Sequence, residues 1–169
     1  MNKQITAIVP FLNEEKYLEE SVKRLINTNL FQQIVLVNDN STDSSREIAE
    51  SICSKFDYIK LINLDVQKGK GNAIKVALEE VNTSHLIVHD ADLEYFPSDI
   101  IDMFEVAKDN PSKLVLGSRT IGEKTRNNKY KITYEFSEYQ KSERDFAFVV
   151  LKRKMFSINA FSPKYEPSL

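Results

Sequence analysis

A single cysteine among 169 residues leaves no partner for an intrachain disulfide and too few thiols for a cysteine-rich zinc site. Cys53 lies among Ile48, Ile52 and Phe56 at helical spacing, which suits a structural thiol. Histidine is nearly as scarce. His85 and His89 are four residues apart on an apolar run, hence about 13 Å apart if that run is a strand. They cannot share an ion, and packing or edge exposure is their expected role. Long apolar runs are missing too. The stretch after Met1-Asn2-Lys3-Gln4 is too short for the core of a signal peptide, and nothing approaches the length of a membrane span. Neither sign of charge dominates, and a net charge of -2 argues against a dedicated nucleic-acid binder. What remains is a cytoplasmic protein with 41% hydrophobic residues and enough chain for a substantial core.

Glycine is also sparse, with 4 in the chain, so where it clusters matters. Lys68-Gly69-Lys70-Gly71 has neither the Walker spacing nor G-x-G-x-x-G, which disfavours a P-loop or a dinucleotide fingerprint. It still permits close backbone approach to a ligand, with ammonium groups at hand for a diphosphate. A glycine turn with solvated lysines is the plainer reading.

Charge is unevenly placed along the chain. Acidic residues outnumber basic ones up to Arg119, and basic residues outnumber acidic ones after it. The polar run from Gly122 to Lys129 marks the changeover, as a loop or boundary would. We therefore expect a core over residues 1–121 and a C-terminal extension over 122–169 packed on the same domain.

Within the core, apolar strands and amphipathic helices alternate. Ile5 to Val9 is a short buried strand ended by Pro10. Asn13 is placed to cap a helix with Glu14 and Glu15 in its first turn, and Leu18, Val22, Leu25 and Ile26 follow at helical spacing. Ile34 to Val37 is a second strand. Ser44 and Glu47 have the spacing of a capping box, and Ile48, Ile52 and Phe56 supply the stripe behind it. Tyr58 to Leu64 is a third strand, and Ile74, Ala77, Leu78 and Val81 mark a third helix. The strand ending at Asp90 is the fourth. Pro97 and Ser98 open a helix carrying Ile100, Met103, Phe104 and Ala107, and Lys113 to Leu116 is a fifth strand. This order implies an α/β fold: a Rossmann-like, mostly parallel sheet flanked by helices, with right-handed crossovers. The polar clusters all follow strands, so they gather on one edge of the sheet, where ligands bind in such folds.

The sharpest cluster is His89-Asp90-Ala91-Asp92-Leu93-Glu94. Asp90 and Asp92, spaced by one residue at a strand end, suit a shared hard cation such as Mg²⁺ or Mn²⁺, held with substrate phosphates. One aspartate capping a helix and the other facing solvent is the plainer alternative. Asp39, also at a strand end, can accept from a ribose hydroxyl or a base N–H, or simply make the turn with Asn40. Arg119 offers a second cation near phosphate or is a surface arginine. Together these pieces suit a nucleotide-diphosphate ligand.

In order and spacing, Ala7 to Glu15, Val37 to Asp43, Lys70-Gly71-Asn72-Ala73, Asp90 to Glu94 and Gly117-Ser118-Arg119 resemble family-2 glycosyltransferases of the GT-A fold. The branch they look most like comprises dolichol-phosphate mannosyltransferases and polyprenyl-phosphate glycosyltransferases. The resemblance implies that Pro10, Phe11, Glu14 and Asp39 line a nucleoside pocket, and that Lys70, Asp90 and Ala91 lie against the nucleotide sugar. It implies that Asp90, Asp92 and Glu94 bind Mg²⁺ or Mn²⁺. Arg119 would contact the donor's phosphate or sugar, and Asp92 and Arg119 would be catalytic. It further implies a GDP- or UDP-linked sugar as donor, a polyprenyl phosphate as acceptor, and inversion at the sugar carbon. Asn40 replaces the family's usual Gly, tolerable because Asn accepts left-handed backbone angles.

From Thr120 to Leu169 the resemblance fails, and the C-terminal segment is atypical. Its stretch Phe146 to Leu151, Lys152-Arg153-Lys154, Met155, Phe156 and Ile158 suits a short helix at an anionic membrane surface near a lipid acceptor. A helix or strand packed on the sheet, with solvated basic residues, is the plainer reading. The protein would then be cytoplasmic and, on the first reading, peripheral at the inner membrane face. Residues 4 to 119 are expected to hold the whole donor pocket without the tail. Two other functions stay open. One is a nucleotide-sugar-binding module without transfer; the other is a phosphohydrolase with Asp90 as nucleophile, disfavoured because that motif usually follows the first strand. The oligomeric state is not legible.

Overall fold

The computed structural model describes residues 5–108, 114–118, 133–134 and 146–152. Four units of strand and helix come first, in chain order: β1 (Ile5–Phe11), α1 (Leu18–Asn27), β2 (Gln33–Asn38), α2 (Ser45–Cys53), β3 (Ile59–Asn63), α3 (Lys70–Glu80), β4 (His85–Val88) and α4 (Ser98–Lys108). Three further strands follow: β5 (Leu114–Ser118), β6 (Thr133–Tyr134) and β7 (Phe146–Lys152). All join one sheet in the order β3-β2-β1-β4-β7-β5-β6. The pairs β1–β2, β2–β3 and β1–β4 are parallel, with Ile8 opposite both Val35 and Val88. That is the mostly parallel, helix-flanked sheet the alternation of elements implies.

The strand period of two divides the core. Ile5, Ala7, Val9 and Phe11 point to one face with Ile34, Leu36 and Ile87, where Leu18, Val22 and Leu25 of α1, Ala49 and Ile52 of α2, and Ile100 and Met103 of α4 cover them. Ile8, Val35, Val37 and Leu86 point to the other face, under Ala73, Ile74 and Ala77 of α3. Both faces are covered, so these strands read as continuous apolar runs rather than alternating ones.

Two local expectations change. The sequence pattern puts a helix cap at Asn13, but Asn13 is left-handed (φ 56°) and α1 begins only at Leu18. Ser44 precedes α2 without a side-chain cap bond. Asp43 Oδ1 instead accepts the Ser45 amide at 3.0 Å, a local turn that competes with the capping box. In the tail, residues 146–152 form a strand within the sheet, the plainer of the two readings, and not a membrane-surface helix. β7 runs antiparallel between β4 and β5, with Ile87 and Val115 both opposite Val150. Residues 4 to 119 therefore do not complete the sheet, because β7 supplies the backbone partner of both β4 and β5. Residues 120–132, including the polar changeover run, and 153–158 lie outside the described residues.

His89 follows β4 directly, with its amide bonded to the Ile8 carbonyl at 2.9 Å and its side chain 1% exposed. Burial lowers its pKa to about 4, against the opposing pull of Asp90 and Asp92. Because the folded value lies below the ordinary 6.5, the stabilising contribution is full above pH 6.5 and is lost as pH falls towards 4. The stability difference between the parent and His89→Gln should shrink by about 3 kcal/mol between pH 7 and pH 4 in urea titrations. A difference that does not change with pH would remove His89 as the source.

Candidate functional site

Strand order reverses between β1 and β4, since β1, β2 and β3 step one way and β4 lies on the other side. In an open α/β sheet such a reversal leaves a crevice beyond the strand ends. Pro10 is fitted to its rim. Ile8 O accepts from His89 on the β4 side, and Phe11 O accepts from Asp39 N at 3.0 Å on the β2 side. Alternate residues face alternate edges, so Pro10 turns its missing N–H towards β4, past the last β1–β4 pair, Ile8 and Val88. No ladder bond is lost there, and β1 and β4 are free to part. Pro10 and Phe11 are buried at that fork.

The loop after β1 is clamped to the loop after β2. Asn13 N donates to Ser41 Oγ (3.0 Å), Glu14 N to Ser45 Oγ (2.8 Å) and Glu15 N to Asp43 Oδ2 (3.1 Å). In return Thr42 N donates to Asn13 Oδ1 (2.8 Å) and Ser44 N to Glu15 Oε2 (3.2 Å). Left-handed Asn13 and Asn40 (φ 64°) turn the two loops towards each other. Burial pushes the Asp43 carboxyl up, but bonds from the Ser45 side chain and from the Ser45 and Glu15 amides prevail and leave it lowered. The clamp is the part of the site that sequence reasoning missed. Its one visible signal was Ser41, Asp43 and Ser45 at alternate positions, each of which also passes for ordinary turn chemistry.

Asp39 ties the loop after β3 to the same centre. Its side chain is 3% exposed, with Oδ1 accepting from Lys68 N at 2.9 Å and Oδ2 from Gly69 N at 2.8 Å. Each oxygen keeps further acceptor capacity. Gly69 has φ 85°, a backbone region that only glycine enters freely, and α3 starts at the next residue. The first turns of α1, α2 and α4 carry Glu19 and Glu20, Glu47, and Asp99, but α3 has no acid there and no side-chain cap. Asp39 thus meets the cap amide of α3 from outside the helix, and the first turn itself can take a further anion. Lys70, its first residue, reaches the loop after β4, with Nζ 2.6 Å from Asp90 Oδ1.

In that last loop Asp90 and Asp92 are half-buried, Ala91 between them is buried, and Glu94 is exposed. Asp92 Oδ1 accepts the Glu94 amide at 3.1 Å across Leu93, whose φ of 64° is strained for a branched side chain. Ser21 Oγ of α1 donates to the Asp90 carbonyl. Glu14 has a raised pKa, first through burial and then through the charges of Asp92, Asp43 and Asp90. The carboxylates of the first and fourth loops therefore share one negative field. Among the described residues no three His, Cys, Asp or Glu side chains gather to enclose an ion by themselves. Hard carboxylate oxygens in a negative field do suit Mg²⁺ or Mn²⁺ when a ligand's phosphates complete the shell. Pro10, Phe11, Glu14, Asp39, Lys70, Asp90, Ala91, Asp92 and Glu94 all lie on these strand ends and the loops that follow them; Arg119 lies outside the described residues.

Comparison with known proteins follows the same lines. The sequence matches the model of the family described as "Glycosyl transferase family 2" over residues 6–162. A dolichol-phosphate mannosyltransferase of Pyrococcus furiosus is 34% identical over 120 residues, covering 70% of this chain and 34% of that protein. Among solved structures, mannosyltransferase PcManGT from Pyrobaculum calidifontis, in complex with GDP-Man and Mn²⁺, has the same fold. It aligns with a TM-score of 0.60 at 20% identity, over 66% of this chain and 34% of that one. S. aureus TarS 1-349 in complex with UDP-GlcNAc aligns with a TM-score of 0.56 at 26% identity, over 66% and 33% of the two chains. The chain spans about a third of the length of these proteins.

Two outcomes follow from the electrostatics. Glu14→Gln should raise the melting temperature at pH 7, because it removes a carboxylate that burial and three neighbours disfavour. A raised carboxyl costs stability only as pH rises through its folded pKa, so the gain should vanish below the ordinary value of 4.5. A gain equally large at pH 4 would refute the shared field. Asp39→Asn sets an N–H against one of the two loop amides, and should lower stability by about 2 kcal/mol in urea titrations. An unchanged midpoint would show that the loop after β3 does not depend on this carboxylate.

Proposed function

This chain belongs to glycosyl transferase family 2, and we propose that its strand-end crevice binds a nucleotide-diphosphate sugar with a divalent cation and transfers the sugar. The observation that carries the reading is the meeting of four loops around opposite charges. The Asp90–Asp92 carboxylates and Glu14 supply the negative side, and Lys70 with the first turn of α3, which has no acid of its own, supplies the positive side. A nucleotide diphosphate has a use for both.

In this reading the nucleoside lies against Pro10 and Phe11, near the spare acceptor capacity of Asp39. The diphosphate meets the α3 N-terminus, whose backbone is open at Gly69 and Gly71 because, beyond the adjoining residues and the helix's own backbone, no atom lies within 4 Å of where a Cβ would be. Lys70 binds it as a point charge, and Arg119 adds a second cation. Asp90 and Asp92, with Glu94 beside them, hold Mg²⁺ or Mn²⁺. A bound cation there supplies Lewis acidity that stabilises a departing diphosphate. The chain's own residues orient the donor: Asp39 sets the loop that carries Lys70, and the Ser41–Ser45 clamp sets Glu14.

GDP- and UDP-linked sugars are the candidate donors, since the related structures hold GDP-Man and UDP-GlcNAc. A polyprenyl phosphate is the proposed acceptor, in line with the dolichol-phosphate enzyme among the relatives. Such a phosphate is ionised at neutral pH, so transfer with inversion needs no strong general base. A lipid acceptor would put the protein at a membrane surface, on the cytoplasmic side; among the described residues no helix is long and apolar enough to cross the membrane.

The test is Asp92→Asn, assayed by calorimetry with GDP and UDP, with and without Mn²⁺, and by sugar transfer to a polyprenyl phosphate. Mn²⁺-dependent nucleotide binding should weaken by roughly tenfold or more, the loss seen when even supporting groups of metal sites are removed. Metal-free binding and the melting temperature should change little. Equal affinities in variant and parent with Mn²⁺ present would overturn the assignment, and binding without transfer in the parent would leave a nucleotide-sugar-binding module.

A further inference from the structure

Lys70 stands in a place that is unfavourable for a cation taken alone. It is the first residue of α3, at the positive end of the helix dipole; that turn has no acid of its own, and the Asp39 carboxylate beside it is taken up by the Lys68 and Gly69 amides. Asp90 is in the converse position, within the negative field that raises the pKa of Glu14. Their contact, 2.6 Å between Lys70 Nζ and Asp90 Oδ1, lets each offset the other's surroundings. The pair is also easy to part. The Lys70 side chain is 54% exposed and the Asp90 side chain 32% exposed, and an ion pair this open is weak.

Resting on the reading of Asp90 as a cation ligand, we propose that Lys70 is a built-in competitor that holds Asp90 until a diphosphate arrives, and so couples metal binding to nucleotide binding. An ammonium and a divalent ion cannot both lie against Asp90 Oδ1 without repelling each other at close range. Metal alone must therefore displace Lys70 into solvent beside an unfavourable helix end. A diphosphate at the start of α3 gives the ammonium a new anion and releases Asp90 to the metal. Each ligand then strengthens the other by the same factor. The loop is set for this exchange by Asp39, which fixes Lys68 and Gly69 and leaves the Lys70 side chain to move.

The experiment compares the parent with Lys70→Met, Lys70→Arg and Lys68→Met in the full chain. Free Mn²⁺ is followed by electron paramagnetic resonance, first with Mn²⁺ alone, then with saturating GDP or UDP and correction for the Mn²⁺ that the nucleotide binds itself. Lys70→Met should bind Mn²⁺ alone about two- to fivefold tighter than the parent, as release of an exposed ion pair allows. Lys70→Arg, which keeps the charge, should match the parent. Lys68→Met removes one positive charge from the same loop without touching Asp90, and should fall short of Lys70→Met. The gain in Mn²⁺ affinity on adding nucleotide should shrink in Lys70→Met. Normal Mn²⁺–nucleotide binding with metal-only affinity unchanged by Lys70→Met, or changed no more than by Lys68→Met, overturns the competition alone. A parent that binds no Mn²⁺ with either nucleotide overturns the metal reading itself, and this inference with it.

Discussion

The buried carboxylate of Asp39 is the interaction on which the site depends. A charge with 3% exposure must be compensated, and here two backbone amides from a neighbouring crossover do so. The consequence is positional. Once Lys68 and Gly69 are held, the direction in which α3 sets out is settled, and with it the reach of Lys70 towards Asp90. One side chain at the end of β2 thereby links the third crossover to the fourth strand.

A second constraint works beside it, on the loop after β1. That loop cannot continue straight into a helix, because Asn13 turns left-handed and α1 waits until Leu18. Its free amides need acceptors, and Ser41, Asp43 and Ser45 provide them. These bonds are local in space but about thirty residues apart in the chain. They hold Glu14 where the charges of Asp43, Asp90 and Asp92 act on it. The site is thus an acidic pole kept under tension, with Lys70 as the one cation shown paired to it among the described residues.

Much of this was legible beforehand. Hydrophobic period and turn residues locate the first five strands and the four helices to within a few residues, because burial on a two-faced sheet leaves its mark on every strand. The same spacing puts Asp39, Lys70, Asp90 and Asp92 after strands, and a parallel sheet brings such positions to one edge. Asn40 takes the left-handed angle that its standing in place of the resembled family's usual Gly allowed for. Cap positions were less legible, since Asn13 and Ser44 carry cap chemistry that the tertiary partners of those loops overrode. The place of β7 between β4 and β5 was not legible. Its continuous apolar run and following lysines fit helix and strand alike, and length does not separate the two.

By itself the sequence determined the class of fold, the order of its elements and the chemical kind of each loop, because those depend on periodicity and residue type within a few neighbours. Only the tertiary structure decided who meets whom. The placing of residues 146–152 between β4 and β5, the clamp from Ser41 to Ser45, and the contact of Lys70 with Asp90 all join distant parts of the chain. Many residues of the right chemistry compete for each such partner, and only the packed crossovers choose among them.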